Sequence, residues 1–506
     1  MTEDHKTSAC RVCGESASTR CSGCKQEFYC SREHQSSDWP RHKSSCQVWE
    51  IQENAELGRH LLAKRELNAG DIVVVEAPLV WGPAMHSVKR VCVGCGKICP
   101  SIDTRCDRCQ WPACKSTCAG LDDKNRHGLE CPFLQQAKII PRCAFSNKLP
   151  FRCDVLLVIR MILLWQMKSK RWTALEALQS HEDSRGPGTA AYMEVMEIAQ
   201  CLERFLAIDP AYKDVLSKIC GLIDVNALET MPPDGSMAIY ETACLLEHSC
   251  LANTHHTFSI DDRGKPRITV RALCSIKKGE HLSTMYTHAL WATRARRVHL
   301  METKYFSCRC KRCADPTELG THLGTLRCPQ DNGLILPKDP LDLNTEWSCD
   351  SCPGVLTSAE VGELTARLED DVEEVMADAR MEDLIKLLSR LTGLLHAGHQ
   401  QCMTVSHSLI QLLPPSNPQK EELCKRIIET TTALDPYGAR LSLYTAVALR
   451  ELSNCPGQDR KALLTRAVSL LANEPLDSPG EKLKYLTESL LILGIGFVTV
   501  NVKFCT

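Results

Sequence analysis

Pairs of cysteines with two residues between them, followed at short intervals by histidines, are the feature that most limits what this chain can fold into. The 506-residue sequence contains 31 cysteines, and many of them stand in C-x2-C pairs. A disulfide framework needs neither this spacing nor the histidines, whereas zinc sites use both. The first six residues, Met1 to Lys6, contain no apolar run of the kind that directs secretion. We therefore expect zinc-bound thiolates in a reducing, intracellular compartment.

The first group of candidate ligands occupies residues 10–46. A C-x2-C pair offers two thiolates from one tight turn, and an x3 spacing places two ligands on one face of a short helix. Eight ligands are enough for two tetrahedral sites. They are Cys10, Cys13, Cys21, Cys24, Cys30, His34, His42 and Cys46.

A second group with a closely related spacing occupies residues 92–131, and Cys99 is left over from it. The two groups form an internal repeat, so one partner could be held by two weak sites at high effective concentration. The eight ligands of the second group are Cys92, Cys95, Cys106, Cys109, Cys114, Cys118, His127 and Cys131.

The stretch from residue 242 to residue 313 combines three further features. It contains the run Glu247-His248-Ser249-Cys250, then Tyr286, and then a C-x-C-x2-C cluster formed by Cys308, Cys310 and Cys313. Three thiolates require a fourth ligand to complete a tetrahedral zinc site.

These motifs together resemble the SMYD family. Phe28–Ser31 and Asp38–Pro40 resemble the sequence of a MYND finger, and residues 242–313 resemble the core of a SET domain. In this family a MYND finger is inserted into a SET domain that transfers a methyl group from S-adenosylmethionine to a protein lysine. An extra finger at residues 10–46 resembles an arthropod-rich subgroup.

The resemblance implies how the ligands are shared between zinc ions. Cys10, Cys13, Cys30 and His34 would hold one ion, with His34 where the family usually has Cys. Cys21, Cys24, His42 and Cys46 would hold another, and Cys250 would complete the C-x-C-x2-C cluster.

The resemblance also implies the sites of the methyl-transfer chemistry. Tyr286 is expected to direct its hydroxyl at the transferring methyl group and the target amine. The residues expected to contact S-adenosylmethionine are Gly58, Arg59, His60, Asn226, Glu247, His248, Tyr286 and Phe306.

Glu247 stands where the family has Asn, and this departure separates two hypotheses. A carboxylate only accepts hydrogen bonds, and at 4 Å it would repel the cofactor carboxylate by about 4 kcal/mol at an effective dielectric constant of about 20. That cost corresponds to a nearly thousandfold loss of affinity. The chain is therefore either a protein-lysine N-methyltransferase acting on histone or other protein tails in transcriptional regulation, or a catalytically weak SET scaffold that recruits partners through its fingers.

Residue patterns give the local structure. We expect a strand over Gly58–Arg65, a turn at Asn68–Asp71 and a strand over Ile72–Glu76. Further strands are expected over residues 221–227, Arg267–Ala272 and His281–Tyr286. A helix over Thr293–Thr303 is expected to present Arg294, Arg296 and Arg297 to solvent.

The expected fold class is α+β. Cys328, Asp331, Cys349 and Cys352 form an incomplete ribbon that either binds zinc through three thiolates and a carboxylate or is empty, so five zinc ions are expected, or six with the ribbon. The expected domains are a MYND finger at 10–46, a split SET domain at 56–290 containing a second finger at 92–131 and a helical insert at 134–220, a post-SET zinc segment at 291–315, a degenerate zinc ribbon at 326–354, and a helical domain at 356–506 that is either TPR-like or a plain bundle.

Charge and hydropathy limit the classes of partner that the chain is expected to bind. Lys and Arg total 60 against 62 acidic residues, so the net charge does not favour nucleic acid, and no apolar run reaches the roughly 18 residues of a membrane span. We expect a monomer that binds a protein or histone tail as substrate. The fingers either bind proline-containing peptides of transcriptional partners or brace the next domain. The expected location is the nucleus or the cytoplasm, although no basic import cluster is evident.

Overall fold

The computed structural model of the protein describes residues 8–21, 27–84, 91–99, 101, 103–124, 126–136, 155–205, 210–230, 236–260, 266–472, 474 and 478–493. Within these residues, no helix combines the length and the apolar character that a membrane span requires. The chain divides into two compact units. The first comprises Met1–Glu247, His256–Leu282 and Thr303–Tyr305, and the second comprises His248–His255, Ser283–Glu302 and Phe306–Thr506.

The described strands are β1 (Ser8–Ala9), β2 (Ser16–Ala17), β3 (Thr19–Arg20), β4 (Phe28–Tyr29), β5 (Trp49–Asn54), β6 (Gly58–Ala63), β7 (Ile72–Glu76), β8 (Val80–Pro83), β9 (Leu228–Thr230), β10 (Ser236–Ile239), β11 (Glu247–His248), β12 (Thr254–Ile260), β13 (Pro266–Ala272), β14 (Ser283–Thr284), β15 (Leu326–Arg327), β16 (Leu334–Pro337), β17 (Trp347–Cys349) and β18 (Val355–Leu356). The described α-helices are α1 (Arg32–Cys46), α2 (His127–Gln136), α3 (Leu156–Gln166), α4 (Lys170–Glu176), α5 (Ala190–Phe205), α6 (Lys213–Asn226), α7 (Thr293–Lys304), α8 (Lys311–Ala314), α9 (Ser358–Asp378), α10 (Met381–Leu394), α11 (Gln400–Leu412), α12 (Pro418–Leu434), α13 (Ser442–Leu452), α14 (Arg460–Leu470) and α15 (Pro479–Leu493).

Short antiparallel sheets form the strand layer of the first unit. The Val- and Ile-rich run predicted as a strand is β7, and it pairs with β13 so that Ile268 lies opposite Glu76. The strand β10 pairs with both β8 and β9. The predicted strand, turn and strand over residues 58–76 are confirmed by β6 and β7. The strand β6 pairs with the preceding β5, so that Gly58 lies opposite Asn54. Gly58 has a φ of 64° at this turn, a left-handed conformation that favours glycine.

The helical part of the first unit follows from two different patterns. The helix α3 is apolar on nearly all sides and almost wholly buried, as its sequence predicts. The predicted strand over residues 221–227 was wrong, because these residues continue α6 to Asn226. Val215, Ile219 and Leu222 of α6 are buried at helical spacing, and this spacing outweighs the β-branched residues near the end.

The second unit contains the ribbon strands β15–β18 and the helices α9–α15. A capping box between Thr357 and Glu360 begins α9. The apolar faces of α9–α13 share one core, which includes Leu384, Leu391 and Leu409. The strand predicted over His281–Tyr286 is shorter, since only β14 is extended there. Antiparallel sheets and helices that occupy separate stretches of the chain confirm the predicted α+β class.

Candidate metal and cofactor sites

The first finger brings its predicted ligands together in the interleaved order. Ser31 caps α1 and accepts a hydrogen bond from the backbone N–H of His34, which fixes the start of the ligand-bearing helix. Cys13 Sγ lies 3.5 Å from Cys30 Sγ, and Cys10 Sγ lies 3.6 Å from His34 Nδ1. A tetrahedral zinc with bonds of ~2.3 Å to sulfur separates its sulfur ligands by about 3.8 Å. The four side chains therefore fit one zinc ion.

The other site of this finger is described in part. Cys21 Sγ lies 3.7 Å from Cys46 Sγ and 3.3 Å from His42 Nε2. The predicted ligand Cys24 lies outside the described residues. The three described donors have the separations that a zinc site requires.

The second finger contains two complete groups of donors. In one, Cys92 Sγ is 3.8 Å from Cys118 Sγ, and Cys95 Sγ is 3.7 Å from Cys114 Sγ. In the other, Cys106 Sγ is 3.8 Å from Cys131 Sγ, and Cys109 Sγ is 3.3 Å from His127 Nε2. In each group the four donor atoms lie within 4.8 Å of one another, and both groups fit zinc.

A buried carboxylate orients the histidine of the second finger. Glu130 lies three residues after His127 on α2, and its Oε1 is 2.9 Å from His127 Nδ1 and 2.7 Å from Arg160 Nη2. Burial alone would raise the pKa of Glu130, but the Arg160 charge and His127 lower it. The carboxylate thus holds His127 with Nε2 directed at the thiolates, as outer ligands commonly do in zinc sites. Arg160 also donates to the carbonyls of Trp81 and Val93, so the finger is fastened to α3.

The post-SET cluster consists of Cys250, Cys308, Cys310 and Cys313, whose sulfur atoms lie within 4.8 Å of one another. Cys250 Sγ is 3.5 Å from Cys313 Sγ and 4.0 Å from Cys308 Sγ. The structure thus brings Cys250 to the three downstream thiols, and the set fits a zinc site of four thiolates.

The prediction that the arginines of α7 face solvent was wrong for two of the three. Arg296 is fully buried and Arg297 nearly so, whereas Arg294 is half-buried. Arg296 donates from Nε to Cys250 Sγ at 3.2 Å and from Nη1 to Glu318 Oε2 at 2.7 Å. Arg312 donates to the same Glu318 oxygen at 3.2 Å. Two guanidinium groups therefore surround the post-SET cluster and offset part of its negative charge.

An aromatic cluster in the second unit surrounds the predicted catalytic tyrosine. The Tyr286 ring meets the His248 ring edge-on at 5.3 Å and the Phe306 ring at 6.3 Å. The backbone N–H of Tyr286 donates to His248 Nδ1 at 3.0 Å, and His248 Nε2 lies 3.3 Å from Cys250 Sγ. Burial lowers the pKa of His248 to about 4. The ring is therefore neutral at pH 7, accepts at Nδ1 and donates from Nε2 to the sulfur.

The first unit gives Glu247 a partner that its sequence neighbourhood does not indicate. Glu247 Oε2 lies 2.7 Å from His281 Nδ1, and the His281 ring stacks on His60 at 4.8 Å with only 6° between the planes. His60 is buried, and its Nδ1 is 3.0 Å from the Gly58 carbonyl. Two predicted cofactor residues, His60 and Glu247, thus meet through His281.

The other predicted cofactor residues of the first unit make backbone contacts. Arg59 donates to the Ala177 carbonyl. Asn226, at the end of α6, donates to the carbonyls of Gln179 at 2.7 Å and Leu222 at 3.1 Å. Its role in cofactor binding stays a prediction.

Three residues with a clear positioning role were missed from the sequence: Glu130, His281 and Glu318. Glu130 could have been found, because a carboxylate one helical turn after a ligand histidine lies on the same face. His281 has no such local signal, since Glu247 is 34 residues away. Glu318 lies six residues after Arg312 and 22 after Arg296, and neither separation follows a helical repeat.

The chain matches two domain families and several known proteins. Residues 10–46 match the MYND finger, and residues 58–287 match the SET domain, within which the second finger lies. The chain is 26% identical over 352 residues to "SET domain-containing protein SmydA-8, isoform A" of Drosophila melanogaster, covering 68% of this chain and 73% of that protein. It is 23% identical over 397 residues to human "Histone-lysine N-methyltransferase SMYD1", covering 72% and 76%. Together these matches support a SMYD family protein.

The match to the SET domain confirms the predicted SET fold, and the similarity to SMYD1 supports a protein-lysine methyltransferase. Among solved structures, it is similar to "Crystal structure of the SET domain of LSMT bound to Lysine and AdoHcy", with 13% identity, a TM-score of 0.34 and coverage of 90% of this chain and 91% of that chain. The subgroup with an extra finger stays a prediction.

Proposed function

We propose that this SMYD protein is an S-adenosylmethionine-dependent lysine N-methyltransferase that modifies histone or other protein tails in transcriptional regulation. The observation that supports this most is the connection of Tyr286 to the post-SET cluster. His248 accepts from the Tyr286 backbone and reaches Cys250 with its other nitrogen. A zinc ion in that cluster would therefore fix the position of Tyr286 in addition to stabilising the fold.

The proposed chemistry depends on position more than on proton transfer. S-adenosylmethionine supplies an electrophilic methyl group when bound. The neutral lysine amine forms the new N–C bond as the S–C bond breaks, and the amine proton then leaves to water. The Tyr286 hydroxyl would orient the reacting groups, because oriented dipoles and alignment lower the barrier of such a displacement.

Glu247 does not argue against activity, because its carboxylate is partnered. A carboxylate without a donor beside it would repel the cofactor carboxylate with its full charge. Here the His281 ring supplies a hydrogen bond at 2.7 Å, and Glu247 is only 19% exposed. The pair therefore offers an acceptor for the cofactor ammonium group with part of its negative charge offset.

The remaining assignments accompany this proposal. Two zinc ions in each finger and one in the post-SET cluster give five. The thiolates of these sites must be reduced, which supports the nucleus or the cytoplasm as location. We further assign the fingers to proline-containing peptides of transcriptional partners and the active form to a monomer. If Glu247 prevents cofactor binding, the protein is instead a SET scaffold that recruits partners through its fingers.

Calorimetric titration with S-adenosylmethionine tests the proposal with a double-mutant cycle on Glu247 and His281. We expect Glu247→Asn to raise the affinity by less than tenfold. His281→Gln is expected to weaken cofactor binding by about tenfold, which corresponds to ~1.4 kcal/mol. This energy is at the low end for a hydrogen bond to a charged group, because the His281 side chain is 45% exposed. In the Glu247→Asn background the same His281 change should have little effect.

The outcomes separate the two functions. Absence of binding at millimolar cofactor in the wild type, restored by Glu247→Asn, would establish the scaffold. Equal effects of His281→Gln in both backgrounds would show that His281 does not act through Glu247.

A further inference from the structure

Two tight turns in the ribbon of β15–β18 bring four further metal-binding side chains together. Cys328 Sγ lies 3.7 Å from Cys352 Sγ, and Cys349 Sγ lies 3.5 Å from Asp331 Oδ1. The four donor atoms lie within 4.8 Å of one another. These separations match those of the finger sites described above.

The turn that begins at Cys328 has the backbone of a zinc knuckle. Its first residue donates to the carbonyl five residues on, at 2.8 Å, and accepts from the N–H four residues on, at 3.0 Å. The fourth residue after the first is left-handed, with a φ of 61° at Asn332. The knuckles that begin at Cys10, Cys92 and Cys106 have the same two hydrogen bonds and left-handed residues at Gly14, Gly96 and Gln110.

This equivalence gives Asp331 the position of a ligand. In each finger knuckle the second ligand stands three residues after the first, at Cys13, Cys95 or Cys109, and Asp331 stands three residues after Cys328. Carboxylate oxygen is an accepted ligand for zinc at ~2.0–2.2 Å. With three thiolates and one carboxylate, the ligand charge is the same as in a site of four thiolates.

The second turn is built to hold thiolates. Cys349 donates from its backbone to the Gly354 carbonyl at 2.9 Å, the hydrogen bond that also begins the other knuckles. Cys349 Sγ accepts from the Ser351 N–H and Cys352 Sγ from the Gly354 N–H, both at 3.4 Å. Hydrogen bonds to a charged acceptor favour the thiolate form, which is the form that binds metal.

The two turns meet closely enough to exclude a side chain. A Cβ at Gly333 would lie 2.7 Å from Cys349 Sγ and 2.8 Å from Asp350 Oδ1. Asp350 itself is engaged elsewhere, since its Oδ1 accepts from the Leu334 N–H at 2.9 Å and from the Ser351 hydroxyl at 2.7 Å. Asp331 is thus the carboxylate that completes the donor set.

We propose that Cys328, Asp331, Cys349 and Cys352 bind a further zinc ion, in a site of three thiolates and one carboxylate outside the fingers and the SET domain. The zinc would close one end of the ribbon. Two residues before Cys328, Leu326 pairs with Leu395, and the Thr325 carbonyl accepts from the His396 N–H at 3.0 Å. The zinc ion therefore stabilises the attachment of the ribbon to the helices that follow.

Native mass spectrometry of the full-length protein tests this site. The count of bound zinc is measured after dialysis against EDTA at a concentration that leaves the wild-type count unchanged. We expect Cys352→Ser and Asp331→Asn each to retain one zinc fewer than the wild type, and Asp331→Cys to retain the wild-type number. Asp350→Asn is the matched control, because its amide oxygen can still accept from Leu334, and it should retain every zinc.

Any of three results would overturn the proposal. If Cys352→Ser retains as many zinc ions as the wild type, the ribbon binds none. If Cys352→Ser loses one zinc ion but Asp331→Asn keeps all of them, the fourth ligand is not Asp331. The same conclusion follows if Asp350→Asn loses a zinc ion. Circular dichroism of each variant shows that the loss of zinc does not follow from unfolding of the whole chain.

Discussion

Replacing Glu318 with Gln tests whether the buried charges around the post-SET cluster determine the stability of the second unit. Glu318 is 3% exposed and faces two fully buried guanidinium groups, those of Arg296 and Arg312. Its Oε1 also accepts from the Thr293 N–H at 2.8 Å. Gln keeps the volume of the side chain and this acceptor, but its NH2 group replaces Oε2. The substitution therefore removes the charge and the oxygen that accepts from Arg296 and Arg312.

The expected cost follows from the geometry. Removing one partner of a buried ion pair costs about 3–5 kcal/mol, because the other charge is left uncompensated. We expect the lower value, ~3 kcal/mol, since the Arg296 guanidinium still contacts Cys250 and Cys313, whose thiolates carry negative charge when zinc is bound. For a unit of this size, each kcal/mol lowers the melting temperature by about 2–4 °C. Glu318→Gln should therefore lower it by about 6–12 °C.

Differential scanning calorimetry of the zinc-loaded protein measures this shift. Glu346→Gln is the matched control, because Glu346 pairs with Lys338 at 2.7 Å while both side chains are at least half exposed. Exposed pairs contribute little to stability, so the control should melt with the wild type. A Glu318→Gln protein that melts within about 2 °C of the control would show that the buried charges are already compensated without Glu318.

Two further predictions concern catalysis and pH. Tyr286→Phe should lower the rate of methyl transfer to a peptide at least tenfold (about 1.4 kcal/mol or more). Its affinity for the cofactor, measured by calorimetry, should equal that of the wild type. Unchanged turnover would show that the hydroxyl does not have its proposed role. Burial lowers the pKa of His407 to about 3, so the ring is neutral when folded and becomes protonated below about pH 6.5 when unfolded. The stability it confers is complete above that pH and falls by about 1.4 kcal/mol per pH unit below it. His407→Gln, which cannot be protonated, should flatten the dependence of the unfolding free energy on pH between 4 and 6 by that amount, and an unchanged slope would contradict it.

The finger ligands could be predicted from the sequence because zinc chemistry is expressed in local spacing. A thiolate pair such as Cys92 and Cys95 is set by one turn, and the strand β7 by one run of β-branched residues. The burial of Arg296 could not be predicted, because it depends on Glu318. That residue lies 22 positions later in the sequence, beyond the cysteine cluster, and reaches Arg296 only in the folded chain. The strand expected over residues 221–227 was wrong for a different reason. Across the whole of α6, the apolar residues recur at helical spacing and indicate a helix. The last few residues alone are rich in β-branched side chains and suggest a strand, so the helix is recognised only when the longer stretch is considered.

The pairing of β8 with β10 has a consequence for synthesis of the chain. Pro83 lies opposite Ser236, so a ribosome that has made β8 must add about 150 residues before its partner exists. At ~5–20 residues per second this takes about 8–30 s, and β7 waits longer for β13. The second finger and α3 can form by local contacts in that interval, while the strand edges remain open to other chains. Nascent chains stalled before residue 236 should therefore be the form of this protein that aggregates and depends most on chaperones.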